Sequence, residues 1–503
     1  MNRKKNYTQK RGKSEHVSKD FVLALFPLIN LLLFLFQGCV TVGPDYKPPE
    51  LEMPDAWHQA AIQGLSEGTA PLQTWWTNFN DPVLTSLIER STAGNLDLKE
   101  AVARIQEARA RLGAATGERY PDLNGSGDAI KLKTSESFSP STTQKSRNDE
   151  FLKTGLDATW ELDLWGRITR LIESTEATLA ASVETFRDVL VVLYAEVAKT
   201  YVDLRTLQKR LSYAKSNVKI QRDTLNLTKD QFRAGIVSEL DVQQAQLNLS
   251  HTESTIPTFE SQIVHAVNHL SVLLGDHPGT LYEELITSAP LPKSPDEVMV
   301  GLPVELLRQR PDIRQSEREL AAQTASIGVA TAELYPRLTI SGAFSFAALD
   351  LKDLFEWRSR TWHIGPSFRW NLFDGGRVQN QIKAEQALTD QALARYEKTV
   401  LIALEDVENA MVAYVKEGER QGFLEESVSA AESSVKLVEE QYRLGITDFQ
   451  NLLDMQRSLF VQQDELAASE GQVTQELIRF YKAMGGGWTP EPMEHTAARK
   501  GLQ

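Results

Sequence analysis

The chain has 503 residues, of which 41% are hydrophobic, and it carries 54 basic and 68 acidic side chains, a formal net charge of −14 at pH 7. So acidic a chain is a poor candidate for binding nucleic acid, because phosphates require a basic surface. Its one cysteine excludes an intrachain disulfide, so stability must come from packing or assembly. The length predicts two or three units or one elongated structure.

The N-terminus has the pattern of a secretory signal peptide. Seven basic residues occur in the first 20, and the sixteen residues 21–36 are apolar except for Asn30. A basic start followed by a short apolar stretch is typical of such signals. A membrane anchor is the alternative, but it needs roughly 20 apolar residues, and Pro27 would disturb its helix. We predict that residues 1–38 are removed, which leaves 47 basic and 66 acidic residues and a net charge of −19.

Cys39 follows this stretch directly and is preceded by Gly38. The signal peptidase of lipoproteins requires a small residue before the cysteine, whose thiol becomes a diacylglycerol thioether. We therefore predict lipidation of Cys39, although Phe36 and Gln37 are bulkier than is usual in this motif. A free buried thiol is the alternative. Because Val40 and not Asp follows, we expect sorting to the outer membrane, and we expect no cofactor besides the covalent lipid.

The chain contains an internal duplication. Residues 112–123 recur as residues 327–338 at an offset of 215, whereas later anchors recur at an offset of 210. These later anchors include Trp160, Leu162, Gly166 and Arg167, which recur as Trp370, Leu372, Gly376 and Arg377. We predict a lipidated linker at 39–78, a first repeat at 79–290, a second repeat at 291–488 and a tail at 489–503.

Each repeat contains a very long predicted helix, Arg167–Arg233 in the first and Arg377–Arg443 in the second, with no proline in either. Each would be roughly 100 Å long at 1.5 Å per residue, far longer than globular helices. We expect the helices to end at Gly235 and Gly445. Capping boxes are predicted to start the returning helices, one from Ser238 to Asp241 and one from Thr447 to Gln450. The returning helices run to Gly275 and Gly485, so each repeat is a helical hairpin.

Two strands precede each hairpin. In the second repeat, apolar residues alternate from Leu338 to Phe346 and from Trp362 to Leu372, which indicates one apolar face. In the first repeat, Leu152 to Leu162 alternate likewise, the strand from Leu123 is weak, and residues 134–148 read as a solvated loop. Strands of this length suit a bilayer, but four strands leave edges that lipid does not tolerate. Self-association is therefore required, though its copy number stays open.

Six ordered motifs resemble the TolC-like outer-membrane factor family, in particular its NodT-type lipoprotein branch, over residues 39–488. They are VGPDYKPP at 42–49, WWTNFNDPVLTSLI at 75–88, WELDLWGR at 160–167, SELDVQQAQ at 238–246, RPDIRQSE at 310–317 and MGGGW at 484–488. The resemblance implies an α+β membrane protein in which a homotrimer pools four strands per chain into a 12-strand β-barrel. A long periplasmic α-helical barrel and a mixed equatorial belt would complete it.

The resemblance also implies a function and partners. It implies an outer-membrane channel of a tripartite efflux pump, a passive export duct for small molecules. A periplasmic adaptor protein and an inner-membrane transporter of the resistance-nodulation-division type would be its partners, together with outer-membrane lipid. The alternatives are the duct of a type I protein secretion system, which shares the fold, and a structural periplasmic coiled-coil lipoprotein, which leaves the strands unexplained.

Site residues follow from the resemblance as well. The helix turns Arg233, Gly235, Ile236 and Arg443, Gly445, Ile446 correspond to the adaptor-docking tips. Glycines that only cap helices are the alternative. Asp454 corresponds to the periplasmic gate, where three copies would form a ring that favours cations, and Gln450 lies at a companion position. An ordinary surface Asp454 is the alternative. We find no catalytic set and no metal motif, since His265 and His269 lack a third ligand, and so expect no enzyme.

Overall fold

The computed structural model describes residues 40–58, 65–67, 72–133, 148–295 and 298–489. The predicted signal peptide, Cys39, nearly all of the predicted loop at 134–148 and the tail after residue 489 lie outside them. The helices are α1 Pro82–Gly94, α2 Leu96–Gly117, α3 Arg167–Arg233, α4 Glu239–Leu273, α5 Tyr282–Leu285, α6 Leu306–Gln309, α7 Pro311–Ala332, α8 Arg377–Arg443 and α9 Phe449–Ala483. The strands are β1 Leu65–Glu67, β2 Asp122–Lys133, β3 Asn148–Leu162, β4 Val298–Val300, β5 Arg337–Ala348 and β6 Arg360–Arg369.

Strands β2, β3, β5 and β6 form one antiparallel sheet in that order. The register places Leu156 beside Phe344 and Phe344 beside Trp362. Because residues paired across strands share a face, the alternating apolar residues of three strands lie on the same side of the sheet. That face is open in the single chain, where Trp362 is 69% and Phe368 is 73% exposed. The predicted apolar face is confirmed.

The weakest predicted strand, β2, forms a full ladder of twelve residues with β3. Its pattern is weak because Leu123 is followed on the same face by Gly125, Gly127 and Ala129, which have little or no side chain. Backbone pairing with β3, and not its own side chains, holds it in place. At the other edge β6 ends at Arg369, so the strand stops before the predicted Leu372.

The long helices agree with the prediction at both ends. α3 and α8 each have 67 residues and the returning helices α4 and α9 each have 35. Among the described residues, no helix is both long and apolar enough to cross a membrane.

The duplication is visible in side-chain contacts as well. The indole Nε1 of Trp160 donates to the carbonyl of Arg119 at 2.9 Å, and that of Trp370 donates to the carbonyl of Leu334 at 3.0 Å. The two tryptophans are 210 positions apart and the two acceptors 215, as in the sequence duplication. Both repeats therefore fix the end of the sheet to the preceding helix by the same bond.

The chain divides into two compact units, each drawn from both repeats. The first contains the described residues of Met1–Lys47, Ala110–Ala177 and Ala321–Asp390. Within it, the buried guanidinium of Arg170 donates to the carbonyl of Val42 at 3.1 Å and to Asp45 at 2.7 Å. The rings of Trp165 and Tyr335 stack with centroids 4.7 Å apart. Residues 42–45 are thus fastened to the start of α3.

The second unit contains the described residues of Pro48–Arg109, Thr178–Leu320 and Gln391–Gln503. Its core contains an aromatic cluster, in which Trp75 stacks on Tyr481 with centroids 5.4 Å apart and Trp76 contacts Tyr194 at 4.9 Å. The strands β1 and β4 pair in parallel. These short elements match the mixed belt that the resemblance implies.

The RPDIRQSE motif contributes an ion network to the second unit. The Arg310 side chain, which is largely buried, bonds to Asp312 at 2.7 Å and to Asp406 at 3.3 Å. Its Nη1 also donates to the carbonyl of Ala483 at 2.9 Å. Arg310 therefore joins the start of α7 to the end of α9. The bounds of the two repeats remain a prediction, since the compact units cut across them.

Candidate functional site: the helix turns and the start of α9

The first helix turn, after α3, is a glycine turn followed by a capping box. Gly235 has φ of +75°, and the amide of Ile236 donates to the carbonyl of Gln231 at 2.9 Å. This is the pattern of a helix end that needs a left-handed residue. Ser238 then caps α4, and the carboxylate of Asp241 accepts from the Ser238 amide at 2.9 Å. The first predicted capping box is confirmed.

The second turn repeats the backbone but not the cap. Gly445 has φ of +73°, and the amide of Ile446 donates to the carbonyl of Gln441 at 2.9 Å. The predicted box from Thr447 to Gln450 is wrong. Asp448 is the cap instead, and its carboxylate accepts from the Asn451 amide at 3.0 Å. A charged carboxylate is the better cap here because it also faces the positive end of the helix dipole.

Thr447 and Gln450 make other contacts. Thr447 Oγ1 accepts from the side-chain amide of Asn451 at 2.9 Å. Gln450 Nε2 donates to the carboxylate of Asp454 one helical turn later, at 2.9 Å. The structure therefore brings together the two residues that the resemblance implies for the gate, Gln450 and Asp454, and both are exposed in the single chain.

The two turns lie side by side. The phenol of Tyr442, near the end of α8, donates to Gln231 Oε1, near the end of α3, at 2.6 Å. Burial raises the pKa of the Tyr442 phenol, so it remains a neutral donor near pH 7. Tyr442 belongs to a small core below the turns, with Phe449, Leu452 and Leu453. This core, which the sequence patterns do not predict, thus holds the two helix turns together as one surface.

Apolar side chains project from both turns. Ile236 is 70% and Ile446 is 71% exposed, and Leu444 beside them is open as well. The tip arginines are exposed and paired with acids of their own helices, Arg233 with Asp230 at 2.8 Å and Arg443 with Glu439 at 2.6 Å. A surface of this kind, with an apolar centre and a charged rim, is typical of protein contacts. A Cβ at Gly235 or Gly445 would meet no neighbouring atom within 4 Å, so backbone conformation, not crowding, requires glycine.

Two residues near the predicted gate were not singled out from the sequence. Arg457 lies on α9, one turn after Asp454, and its Nε donates to Asn248 of α4 at 3.1 Å. Gln221 of α3 is 2% exposed. The spacing of Arg457 from Asp454 is a signal that could have been used, whereas the burial of Gln221 depends on packing between three helices. Within the described ranges, no group of three or more His, Cys, Asp or Glu side chains could hold a metal.

Comparisons with known proteins identify the family of the chain. The family model described as outer membrane efflux protein matches residues 87–276 and 302–486. Nodulation protein T of Rhizobium leguminosarum bv. trifolii is 34% identical over 470 residues, 92% of this chain and 97% of that protein. The solvent efflux pump outer membrane protein SrpC of Pseudomonas putida is 30% identical over 469 residues, 92% of this chain and 99% of that protein.

Solved structures show the same fold. The outer-membrane channel OprN superposes with a TM-score of 0.83 at 37% identity, covering 90% of this chain and all of that one. CusC, a transmembrane channel, superposes with a TM-score of 0.76 at 26% identity over 89% of this chain. The predicted α+β channel fold and the outer-membrane location are confirmed. The chain belongs to the outer membrane efflux protein family and is the outer-membrane channel component of an efflux system.

Proposed function

We propose that this chain works as a homotrimer that forms the exit duct of a tripartite efflux pump for small molecules. The observation that carries the proposal is the four-stranded sheet with an exposed apolar face, inside a chain that matches the efflux family along both repeats. The outer edges of β2 and β6 have no strand partner among the described residues. Unpaired edges are not tolerated in lipid, and twelve strands enclose more space than the eight of a dimer.

The mass of the detergent-solubilised protein tests this assembly. Light scattering corrected for bound detergent should give about three chain masses, as expected of a closed ring with threefold symmetry. A stable monomer or dimer would contradict the duct.

The partners are proposed from the two tips. The exposed Ile236 and Ile446 with the flanking Arg233 and Arg443 form a surface that suits the hairpin of a periplasmic adaptor. The adaptor in turn would connect the duct to an inner-membrane transporter of the resistance-nodulation-division type. A double variant, Ile236→Ser and Ile446→Ser, should lose adaptor binding in pull-down and retain the trimer. Unchanged adaptor binding by the double variant would leave the glycine turns as helix ends only.

Cys39 is proposed as the anchor. Lipid on the thiol would hold the segment from Val42 onward at the membrane, close to where Arg170 fastens it. Cys39→Ser should abolish the lipid, because only a thiol forms the thioether, and should slow removal of residues 1–38. Mass spectrometry of the mature N-terminus measures both. An unmodified Cys39, or one still preceded by Gly38, contradicts the anchor.

Asp454 is proposed as the charge of the periplasmic gate. Three copies around a threefold axis would form an acidic ring, which favours cations. In planar bilayers, Asp454→Asn should weaken cation selectivity. Asp448→Asn is the matched control, because it removes one charge per chain nearby while asparagine still caps α9. Equal selectivity in wild type and Asp454→Asn would leave Asp454 as an ordinary surface acid.

A further inference from the structure

A cavity of about 390 Å³ lies between α3, α4 and α9. Leu247, Phe460 and Val461 are its apolar lining residues, and its polar lining residues include Gln221, Arg457 and His251. Neither the glycine turns nor Asp454 lines the cavity. Its volume is within the usual range of small-molecule sites.

Gln221 is the buried polar group of this cavity. It is 2% exposed, and neither its Oε1 nor its Nε2 has a hydrogen-bond partner among the described residues. The polar residues one turn away on α3 form hydrogen bonds to α9. Asn217 donates to Gln463 at 2.8 Å, and Thr224 accepts from Gln456 at 2.8 Å. Because buried amides are normally bonded, the exception at Gln221 indicates a group that the cavity receives.

Arg457 supplies a positive charge to the lining of the cavity. Its one bond within the described ranges is from Nε to Asn248, and no carboxylate pairs with it there. Other arginines of this region are paired, Arg222 with Glu253 at 2.6 Å and Arg210 with Asp464 at 2.8 Å. The two terminal nitrogens of Arg457 therefore remain for a planar anion, which guanidinium binds through two parallel bonds.

We propose that this cavity binds a small aromatic carboxylate. The ring would lie against Phe460, Leu247 and Val461, since an aromatic face packs well on such a wall. The carboxylate would pair with Arg457, and a polar substituent of the ring would bond to the amide of Gln221. The inference does not rest on the export function, because the binding is measured without transport.

Fluorine NMR of the full-length protein in detergent tests the proposal, with 4-(trifluoromethyl)benzoate as the probe. The wild type should broaden the probe signal beyond that of protein-free micelles, and excess benzoate should reverse the broadening. The neutral 4-(trifluoromethyl)benzyl alcohol should bind more weakly. Arg457→Gln should weaken binding by about tenfold, the worth of a charge-assisted pair at a half-open site.

Matched variants separate the site from general effects. Arg222→Gln removes the same charge from a paired arginine outside the cavity and should leave binding unchanged. Gln221→Leu should weaken binding without lowering thermal stability, because it removes an unsatisfied buried amide, and Gln246→Leu, an exposed glutamine of α4, is its control. Equal broadening by the wild type and a folded Arg457→Gln variant, or equal affinity for the neutral probe, overturns the proposal.

Discussion

The two long helices α3 and α8 have equal lengths and similar turns, but their first residues lie in different surroundings. A Cβ placed on Gly166, just before α3, would lie 2.2 Å from Thr41 Cγ2, whereas one on Gly376, just before α8, would meet its nearest atom at 3.7 Å. The amide of Val42 donates to the carbonyl of Trp165 at 3.1 Å. In the single chain, the N-terminal segment covers the first copy of the repeat and leaves the second copy open.

One residue difference between the two copies explains why the N-terminal segment packs on the first copy and not on the second. Arg170 of the first copy, whose side chain is 4% exposed, holds the segment through Val42 and Asp45. The equivalent residue 210 positions later is Asn380, which is too short to reach so far. A duplicated backbone has thus become asymmetric through side chains, and the segment that follows the predicted lipid site is fastened to one copy.

The largest difference in stability between the two copies is expected on substitution of the two glycines. Both have positive φ, +75° at Gly166 and +84° at Gly376, so alanine costs roughly 1–2 kcal/mol at either. At Gly166 the clash with Thr41 adds about 1–3 kcal/mol. Thermal midpoints at one scan rate should therefore fall further for Gly166→Ala than for Gly376→Ala. Equal losses would show that crowding by the N-terminal segment has no energetic weight.

The next effect concerns Arg170. Arg170→Asn copies the second repeat into the first and removes the bonds to Val42 and Asp45, a loss of about 1.5–3 kcal/mol for bonds to a charged group. Limited proteolysis should then cut within residues 40–47 before the rest of the chain. Arg104→Asn, at an exposed arginine paired with Glu100, is the control and should leave the cutting pattern unchanged. Protection of the segment in Arg170→Asn would place its attachment elsewhere.

The caps of the returning helices give a smaller difference. Replacing a cap by alanine costs about 0.5–2 kcal/mol. Ser238 Oγ lies 3.4 Å from the Asp241 amide, whereas the Asp448 carboxylate lies 3.0 Å from the Asn451 amide. Asp448→Ala should therefore open the first turn of α9 more than Ser238→Ala opens that of α4. Amide hydrogen exchange in the two first turns measures this, and the reverse order would show that the Asp241 side chain carries the first cap.

Sequence patterns predicted the elements that depend on neighbouring residues. Both long helices were bounded correctly because glycine ends and an unbroken helical stretch are local signals. The strand pattern of β2 is weak in the sequence because backbone pairing with β3, and not its own side chains, makes this segment a strand. The cap at Asp448 was misassigned because Thr447 and Asp448 both suit a cap, and only backbone geometry separates them. Arg170, Arg310 and Gln221 could not be predicted, since their roles arise from contacts far apart in sequence.

The smallest expected effect is the pH dependence of Asp188 on α3, whose counterpart on α8 is the exposed Lys398. Burial raises the pKa of the Asp188 carboxyl, and the negative charge of Asp312 raises it further. The positive charges of Arg310 and Lys482 lower this pKa, but the net shift is upward. Since the folded protein binds this proton more readily than the unfolded chain, the contribution to stability is present at low pH and is lost as the pH rises through the raised pKa.

Asp188→Asn does not titrate, so its thermal midpoint should match the wild type near pH 4 and exceed it slightly near pH 7. Asp223→Asn, at an exposed acid of the same helix, should show no such trend. A midpoint difference that is independent of pH, or a variant less stable than wild type near neutral pH, would mean that the electrostatic attraction of Asp188 to Arg310 and Lys482 outweighs its burial.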